Sequence, residues 1–113
     1  VIGGRKLIGS AQRRVGRGVL QHGSLLIDAR HEGLADLLPS LSEKERLELR
    51  ASLEAKTTTL ESVLGRRVGF EETADAVRRG FEAAWGVELP EGALTADELD
   101  AASALTTSYV IER

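Results

Sequence analysis

Two stretches near the start of the chain decide its reading: Gly4-Arg5-Lys6-Leu7-Ile8-Gly9-Ser10-Ala11-Gln12-Arg13-Arg14, and then Gly18-Val19-Leu20-Gln21-His22-Gly23-Ser24-Leu25-Leu26-Ile27-Asp28. Both alternate with a period of two, the repeat of a β-strand whose successive side chains point to opposite faces. In the first, Arg5, Leu7, Gly9 and Ala11 separate from Lys6, Ile8, Ser10 and Gln12. In the second, Gln21, Gly23, Leu25 and Ile27 separate from His22 and Ser24. Residues 13–18 between them read as a basic, glycine-containing loop. Gly3 and Gly4 supply the positive-φ residues of a tight turn after Val1 and Ile2, so an earlier strand is expected to end where this sequence starts.

Beyond Arg30 the period changes to that of helices. A short segment through Leu34, Leu37 and Leu38 is stopped by Pro39. Ser42 with Glu45, Thr58 with Glu61, and Thr95 with Glu98 each have the spacing of a capping box, in which a side chain at either end satisfies a backbone donor of the other. Gly65 is placed to end the second of these helices in a left-handed conformation. After Gly69, the residues Phe70, Ala74, Val77, Phe81, Ala84 and Trp85 recur at helical spacing, with Glu72, Asp75, Arg79 and Glu82 opposite them. Leu94 and Leu99 are spaced as a hydrophobic staple, and Leu99, Ala102 and Leu105 form the face expected to be buried in the last helix. A β-hairpin followed by several helices is an α+β fold. Residues 1–39 read as its β-rich part and residues 40–113 as a helical remainder, with a soft boundary between residues 39 and 57.

With 113 residues, 42% hydrophobic and 29% charged, the chain has the composition of a single soluble domain with one packed core. Its longest clearly aliphatic run is Leu25-Leu26-Ile27, far short of a membrane span. No cysteine is present, which removes disulfides, thiolate metal sites and a thiol nucleophile from these residues. His22 and His31 are too few and too far apart for a helical pair of metal ligands, so no metal site is expected. The chain opens on Val1 without a signal-peptide pattern, and it reads as a piece of something longer.

The net charge of −3 conceals a segregation. Residues 1–31 carry Arg5, Lys6, Arg13, Arg14, Arg17 and Arg30 against Asp28 alone, a net +5; the rest carries nine positive and seventeen negative residues, a net −8. Such a basic segment fits an anion or an acidic protein surface. Nucleic acid is the poorer fit, because aromatics make up 4% of the chain and none lies in the basic segment to stack on bases.

Lys6, Ser10 and Gln12 at spacings of four and two form a polar row able to grip a small anion. If Lys6 faces inward it calls for an acidic partner, because an unpaired buried ammonium costs several kcal/mol. The alternative is an edge strand whose lysine discourages aggregation. Gln21, His22, Gly23 and Ser24 interrupt an apolar strand, where a glycine marks either the close approach of a ligand or a bulge with a hydrogen-bonded His22. Arg13, Arg14 and Arg17 are either a solvated hairpin tip or a docking site. These residues alone do not specify a reaction.

The two quoted stretches, and the spacing between them, resemble the lipoate-protein ligase and octanoyltransferase family. The helix after Gly69, the phrase Trp85-Gly86-Val87-Glu88-Leu89 and the run Leu94-Thr95-Ala96-Asp97-Glu98-Leu99 are similar to it as well. The resemblance implies a fold shared with biotin ligases, and transfer of a lipoyl or octanoyl group to a lysine of a lipoyl domain, as in glycine cleavage H protein or a 2-oxoacid dehydrogenase subunit. It makes Lys6 the family's lysine beside the acyl carbonyl. Gly9, Ser10, Ala11 and Gln12 match the strand lining the acyl end, and His22, Gly23 and Ser24 match its neighbour. Arg13, Arg14 and Arg17 would then dock the acceptor protein.

The resemblance also implies an upstream half bearing paired arginines, a glycine-rich loop and, in thioester-forming transferases, a cysteine. None of these is found here, so the chain is expected to be a C-terminal half, completed by further sequence or by a partner chain. ATP and magnesium are implied only for the ligase branch; the long helical segment after Asp28 looks more like the octanoyltransferase branch. Ser108-Tyr109-Val110-Ile111 stands where the family has a tryptophan-containing ending. A cytoplasmic location follows from the family, with neither nucleic acid nor membrane as a partner. The competing reading is a non-catalytic module that binds acidic lipoyl domains through the basic hairpin.

Overall fold

The computed structural model describes residues 1–109, so Val110 and Ile111 of the ending noted above lie outside the described residues. Strands β1 (Ile8–Val15) and β2 (Gly18–Leu25) form an antiparallel hairpin. A 3₁₀ segment, Ala29–Leu37, precedes helices α1 (Glu43–Lys56), α2 (Leu60–Leu64), α3 (Phe70–Trp85) and α4 (Ala96–Thr106). This is the α+β arrangement expected from the sequence.

The hairpin register runs without a break from Ile8 opposite Leu25 to Val15 opposite Gly18. Two expectations fail on this point. The loop over residues 13–18 is a two-residue turn, with Arg13 and Arg14 inside β1 and only Gly16 and Arg17 at the bend. Gly16, at φ 57°, occupies the position that a type II′ turn reserves for glycine. Nor is there a bulge at Gly23, since Ser10 pairs with Gly23 and Ala11 with His22 in regular ladder order. Gly3 and Gly4, at φ 56° and 75°, make the expected tight turn, closed by Ile2 and Arg5 exchanging backbone hydrogen bonds at 2.8 and 3.0 Å.

The capping boxes are local devices, and two of the three form as read. Ser42 and Glu45 cap α1, and Thr95 and Glu98 cap α4, each pair bonding reciprocally. The third moves by one residue. Thr59, not Thr58, caps α2 by accepting from the Ser62 N–H at 3.1 Å, and the Thr58 N–H, which a box would give to the Glu61 carboxylate, goes to the Lys6 carbonyl at 3.0 Å. Glu61 then accepts from the Val68 N–H at 3.1 Å instead of closing a box. Gly65 ends α2 at φ 66° and Gly86 follows α3 at φ 63°, both left-handed as a C-terminal glycine requires.

Three distant segments are woven together at the base of the hairpin. The Lys6 N–H donates to the Lys56 carbonyl at 2.9 Å and the Lys6 carbonyl accepts from Thr58, which makes a parallel bridge centred on Thr57. Leu26 N–H donates to the Leu7 carbonyl at 3.1 Å. The Leu26 and Ile27 carbonyls accept from Leu60 and Glu61 at 2.9 and 3.0 Å, satisfying the first donors of α2 that a helix leaves without partners. Leu7 is buried at this junction.

The expectation of one packed core is not met. Among the described residues only Leu7, Ala35 and Val68 are buried apolar side chains, and Thr59 and Thr73 are buried beside them. A two-stranded sheet has too little area to cover several helices. The apolar stripe of α3 exists as read, yet Phe70 is 75% and Trp85 64% exposed. In α4 none of Leu99, Ala102 and Leu105 is buried, and Leu94 of the expected staple is also exposed. Contacts divide the chain into a compact unit from Val1 to Val77 and a second beginning at Arg78. Within the first, Arg50 of α1 pairs with Asp36 of the 3₁₀ segment at 2.6 Å. Within the second, Phe81 and Trp85 pack with ring centroids 4.7 Å apart.

Candidate functional site

At the base of the hairpin lies an open cavity of about 420 Å³. Lys6, Gly9, Ser10 and Ala11 line it from the first motif, and His22, Gly23 and Ser24 from the second. Gln12, the remaining candidate, is not part of it. It is held on the sheet by hydrogen bonds from its Nε2 to Gln21 Oε1 and from Arg14 Nε to its own Oε1, both 3.2 Å.

Residues paired across an antiparallel ladder share a face. Gly9 and Ser24 therefore share one face with Ala11 and His22, while Ser10 and Gly23 share the other with Gln12 and Gln21. Strict alternation would put Lys6 with Ser10 and Gln12. The structure puts it on the Gly9 face instead: a Cβ built on Gly9 would stand 2.8 Å from Lys6 Cε and 3.0 Å from Nζ. Alternation fails because regular β1 begins only at Ile8, and Lys6 is paired with the end of α1 rather than with β2. The row of Lys6, Ser10 and Gln12 expected on one face is thus divided between two.

The two motif glycines do different work. At Gly9 a side chain would displace the end of Lys6, which lies across the bare backbone. At Gly23 a Cβ would stand 2.5 Å from the Gly9 carbonyl oxygen and 3.1 Å from Ser10 Cβ, so the two strands approach there too closely for any side chain.

Lys6 is exposed and makes no ion pair among the described residues, contrary to the acidic partner expected for an inward-facing lysine. Its ammonium keeps its water, so no desolvation cost demands a counter-charge. His22 is also exposed, without a side-chain hydrogen bond among the described residues. From the hairpin motifs the open cavity therefore receives the Lys6 ammonium, the His22 imidazole and the Ser24 hydroxyl along a glycine-lowered strand surface.

Further lining residues come from elements that the sequence patterns did not connect to the site: Leu26, His31, Leu53 and Thr57. His31 Nε2 lies 2.8 Å from Thr57 Oγ1, and its Nδ1 lies 3.3 Å from the Asp28 carbonyl oxygen. Asp28 caps the segment that carries His31: its carboxylate accepts from the Arg30 N–H at 3.0 Å and from Arg30 Nε at 2.7 Å. The backbone hydrogen bond from Arg30 chiefly, helped by the guanidinium, holds the Asp28 carboxyl below the usual carboxylate range. Nothing in the local sequence pattern marks Thr57 as part of the site, because it enters through a strand bridge to a residue far earlier in the chain.

Arg13, Arg14 and Arg17 stand away from this cavity, toward the hairpin tip. At about 3.3 Å per residue, Arg13 is roughly 13 Å along the strand from Gly9. Arg13 and Arg14 project to opposite faces as neighbours in one strand, and Arg17 sits in the turn. No group of three or more His, Asp or Glu side chains able to hold a metal occurs among the described residues, and no helix there is long and apolar enough to cross a membrane.

Residues 1–82 match the family model of the lipoyl protein ligase A/B catalytic domain. The chain belongs to this family. It is 38% identical over 112 residues to octanoyltransferase LipM of Kyrpidia tusciae, a match covering 99% of this chain and 41% of that protein. To octanoyltransferase LipM of Symbiobacterium thermophilum it is 46% identical over 99 residues, covering 86% of this chain and 35% of the relative. To that of Bacillus subtilis it is 35% identical over 100 residues, covering 88% and 36%. The chain thus spans about two fifths of the length of these curated relatives, and the likeness takes in the helical tail as well as the hairpin. No solved structure matches it.

Proposed function

We propose that these residues form part of an octanoyltransferase, which moves an octanoyl group from a thioester to the ε-amine of a lysine on a lipoyl domain. The observation that carries this reading is Lys6 lying across Gly9 at the mouth of a cavity built from both family motifs. In the transfer the acceptor amine attacks the thioester carbonyl, a C–N bond forms, the C–S bond breaks, and the amine's proton leaves with the thiol. Negative charge grows on the carbonyl oxygen in between. An ammonium fixed beside that oxygen is the kind of preorganised donor that lowers such barriers most.

Gly9, Ala11, His22 and Ser24, on the Lys6 face, would bound the acyl end, with Ser10 and Gly23 completing the strand surface. Gln12 bears on this surface through its bond to Gln21 rather than from within the cavity. Since the chain has no cysteine, an acyl-enzyme thioester would use a thiol from elsewhere in the full-length enzyme, on the same polypeptide or a partner. The names of the relatives favour the transferase over the ATP- and magnesium-dependent ligase. A cytoplasmic location accompanies this reading, as the family resemblance implies.

The non-catalytic docking module is the weaker alternative, because its three arginines are spread over two faces and a turn rather than gathered on one surface. The deciding experiment supplies the full-length enzyme with octanoylated carrier protein and a lipoyl domain, and weighs the acceptor. One octanoyl group gained is expected, and Lys6→Ala is expected to slow single-turnover transfer by about a hundredfold, the usual effect of losing one oxyanion donor. Lys6→Arg recovers little, because a planar guanidinium does not replace a compact ammonium. A folded Lys6→Ala enzyme within a few-fold of the parent would remove Lys6 from the chemistry.

A further inference from the structure

Lys6 is held by its backbone, not by its side chain. Its N–H and carbonyl are gripped by Lys56 and Thr58, the two residues that flank Thr57. Whatever fixes Thr57 therefore fixes the position from which the Lys6 side chain departs.

Thr57 is fixed from two sides. It ends α1, where its backbone N–H and its hydroxyl both donate to the Leu53 carbonyl, at 3.0 and 2.6 Å. A hydroxyl has one proton, and here it is committed to Leu53. The 2.8 Å contact from His31 then has one sense: Nε2–H donates and Thr57 Oγ1 accepts. His31 is itself held near the start of the 3₁₀ segment, next to Arg30, whose N–H donates to the capping Asp28 carboxylate; with the His31 proton on Nε2, the neutral ring leaves Nδ1 without a donor toward the Asp28 carbonyl oxygen. Both His31 and Thr57 are half-buried, so water competes less for this bond than it would at the surface. The result is a strut from the capped start of the 3₁₀ segment, through His31 and Thr57, to the backbone of Lys6.

We propose that His31 and Thr57 are positioning residues for Lys6, holding its ammonium at the reacting carbonyl without entering the chemistry. This rests on the acyl-transfer reading above. Misplacing a group by about 1 Å costs as much as a hundredfold in rate, so such a strut has a kinetic signature of its own.

The test uses the full-length enzyme. His31→Leu and Thr57→Val remove the donor and the acceptor while keeping bulk. Each is expected to lower kcat by about ten- to a hundredfold, with KM for the octanoylated carrier and the lipoyl domain within about twofold of the parent. His31→Gln, which keeps an N–H at similar reach, and Thr57→Ser, which keeps the hydroxyl, are expected to return to within about threefold. The double variant His31→Leu/Thr57→Val should be no slower than the slower single, because both break one link.

Amide hydrogen exchange at Lys6 and Thr58 provides a readout that does not depend on turnover. It is expected to quicken in the Leu and Val variants and to match the parent in the Gln and Ser variants. If His31→Gln stays as slow as His31→Leu, the imidazole acts directly and the positioning role is overturned. Unchanged exchange in the Leu and Val variants overturns it too, as does parental kcat in them when Lys6→Ala is slow. If instead Lys6→Ala is as fast as the parent, it is the catalytic role given to Lys6 above that falls, and the exchange data still decide whether the strut exists.

Discussion

The two ends of one hairpin behave as different materials. At its base, Leu7 is buried and bonded through its carbonyl to Leu26, and the backbone of residues 6, 26 and 27 is tied to residues 56, 58, 60 and 61 by hydrogen bonds. At its tip, Val15, Val19 and Leu20 are exposed and Arg13, Arg14 and Arg17 are held by little beyond the two-residue turn and the ladder itself. The base is built for placement of atoms and the tip for a field of charge. Substitutions at the base should therefore act through geometry and those at the tip through ionic strength.

The sharpest test of the base is Gly23→Ala. Relieving a Cβ that would stand 2.5 Å from the Gly9 carbonyl oxygen requires the strands to separate, because the obstacle is backbone. Overpacking of this kind costs typically about 1–3 kcal/mol, and the upper part of that range is expected in urea unfolding, together with loss of transfer. A variant as stable as the parent would show that the strands open freely at this point. Gly9→Ala should have the smaller and opposite profile. Its obstacle is the flexible end of Lys6, so stability should change by less than about 1 kcal/mol, while transfer slows about tenfold or more as the ammonium is pushed aside. Equal losses of stability in the two alanine variants would erase the distinction between the glycines.

That distinction was only partly legible in the sequence. The two strands, the tight turn at Gly3 and Gly4 and two capping boxes were readable because each depends on residues within a few positions of one another. The face of Lys6 was not, because alternation holds only along an unbroken strand, and Lys6 leaves the ladder to pair with residues near Thr57. The box read at Thr58 and Glu61 fails in a related way: the Thr58 N–H it needs is bonded to the distant Lys6 carbonyl. His31 and Thr57 entered the cavity for that reason as well, with no local motif to announce them. The amphipathic pattern of α3 does specify a helix, but periodicity says which face is apolar and not whether anything covers it.

At the tip, replacing Arg13, Arg14 and Arg17 together by serine should raise KM for the lipoyl domain several-fold and flatten its dependence on salt, with kcat little changed. Exposed charges act through a field that physiological salt screens over about 8 Å, which speeds encounter more than it stabilises the complex. Steady-state kinetics at low and high ionic strength checks this. A fall in kcat at constant KM would join the tip to the chemistry of the base and break the contrast between the two ends.

The smallest expected effect separates placement by hydrogen bonds from placement by charge. In the α1 capping box the Glu45 carboxylate accepts from the Ser42 N–H at 2.7 Å, and this bond holds its carboxyl below the usual range. A depressed carboxyl contributes stability that is fully present above its unfolded pKa and is lost as pH falls through its lower folded value. Glu45→Gln keeps an acceptor for the same N–H but loses the charge. The parent should therefore unfold at a slightly higher urea concentration than Glu45→Gln at pH 7, and the gap should close toward pH 3, because acid leaves both side chains neutral. As the carboxylate is exposed, the gap at pH 7 should also narrow with salt. A gap that persists unchanged at pH 3 would mean that the cap of α1 depends on the shape of the glutamate and not on its charge.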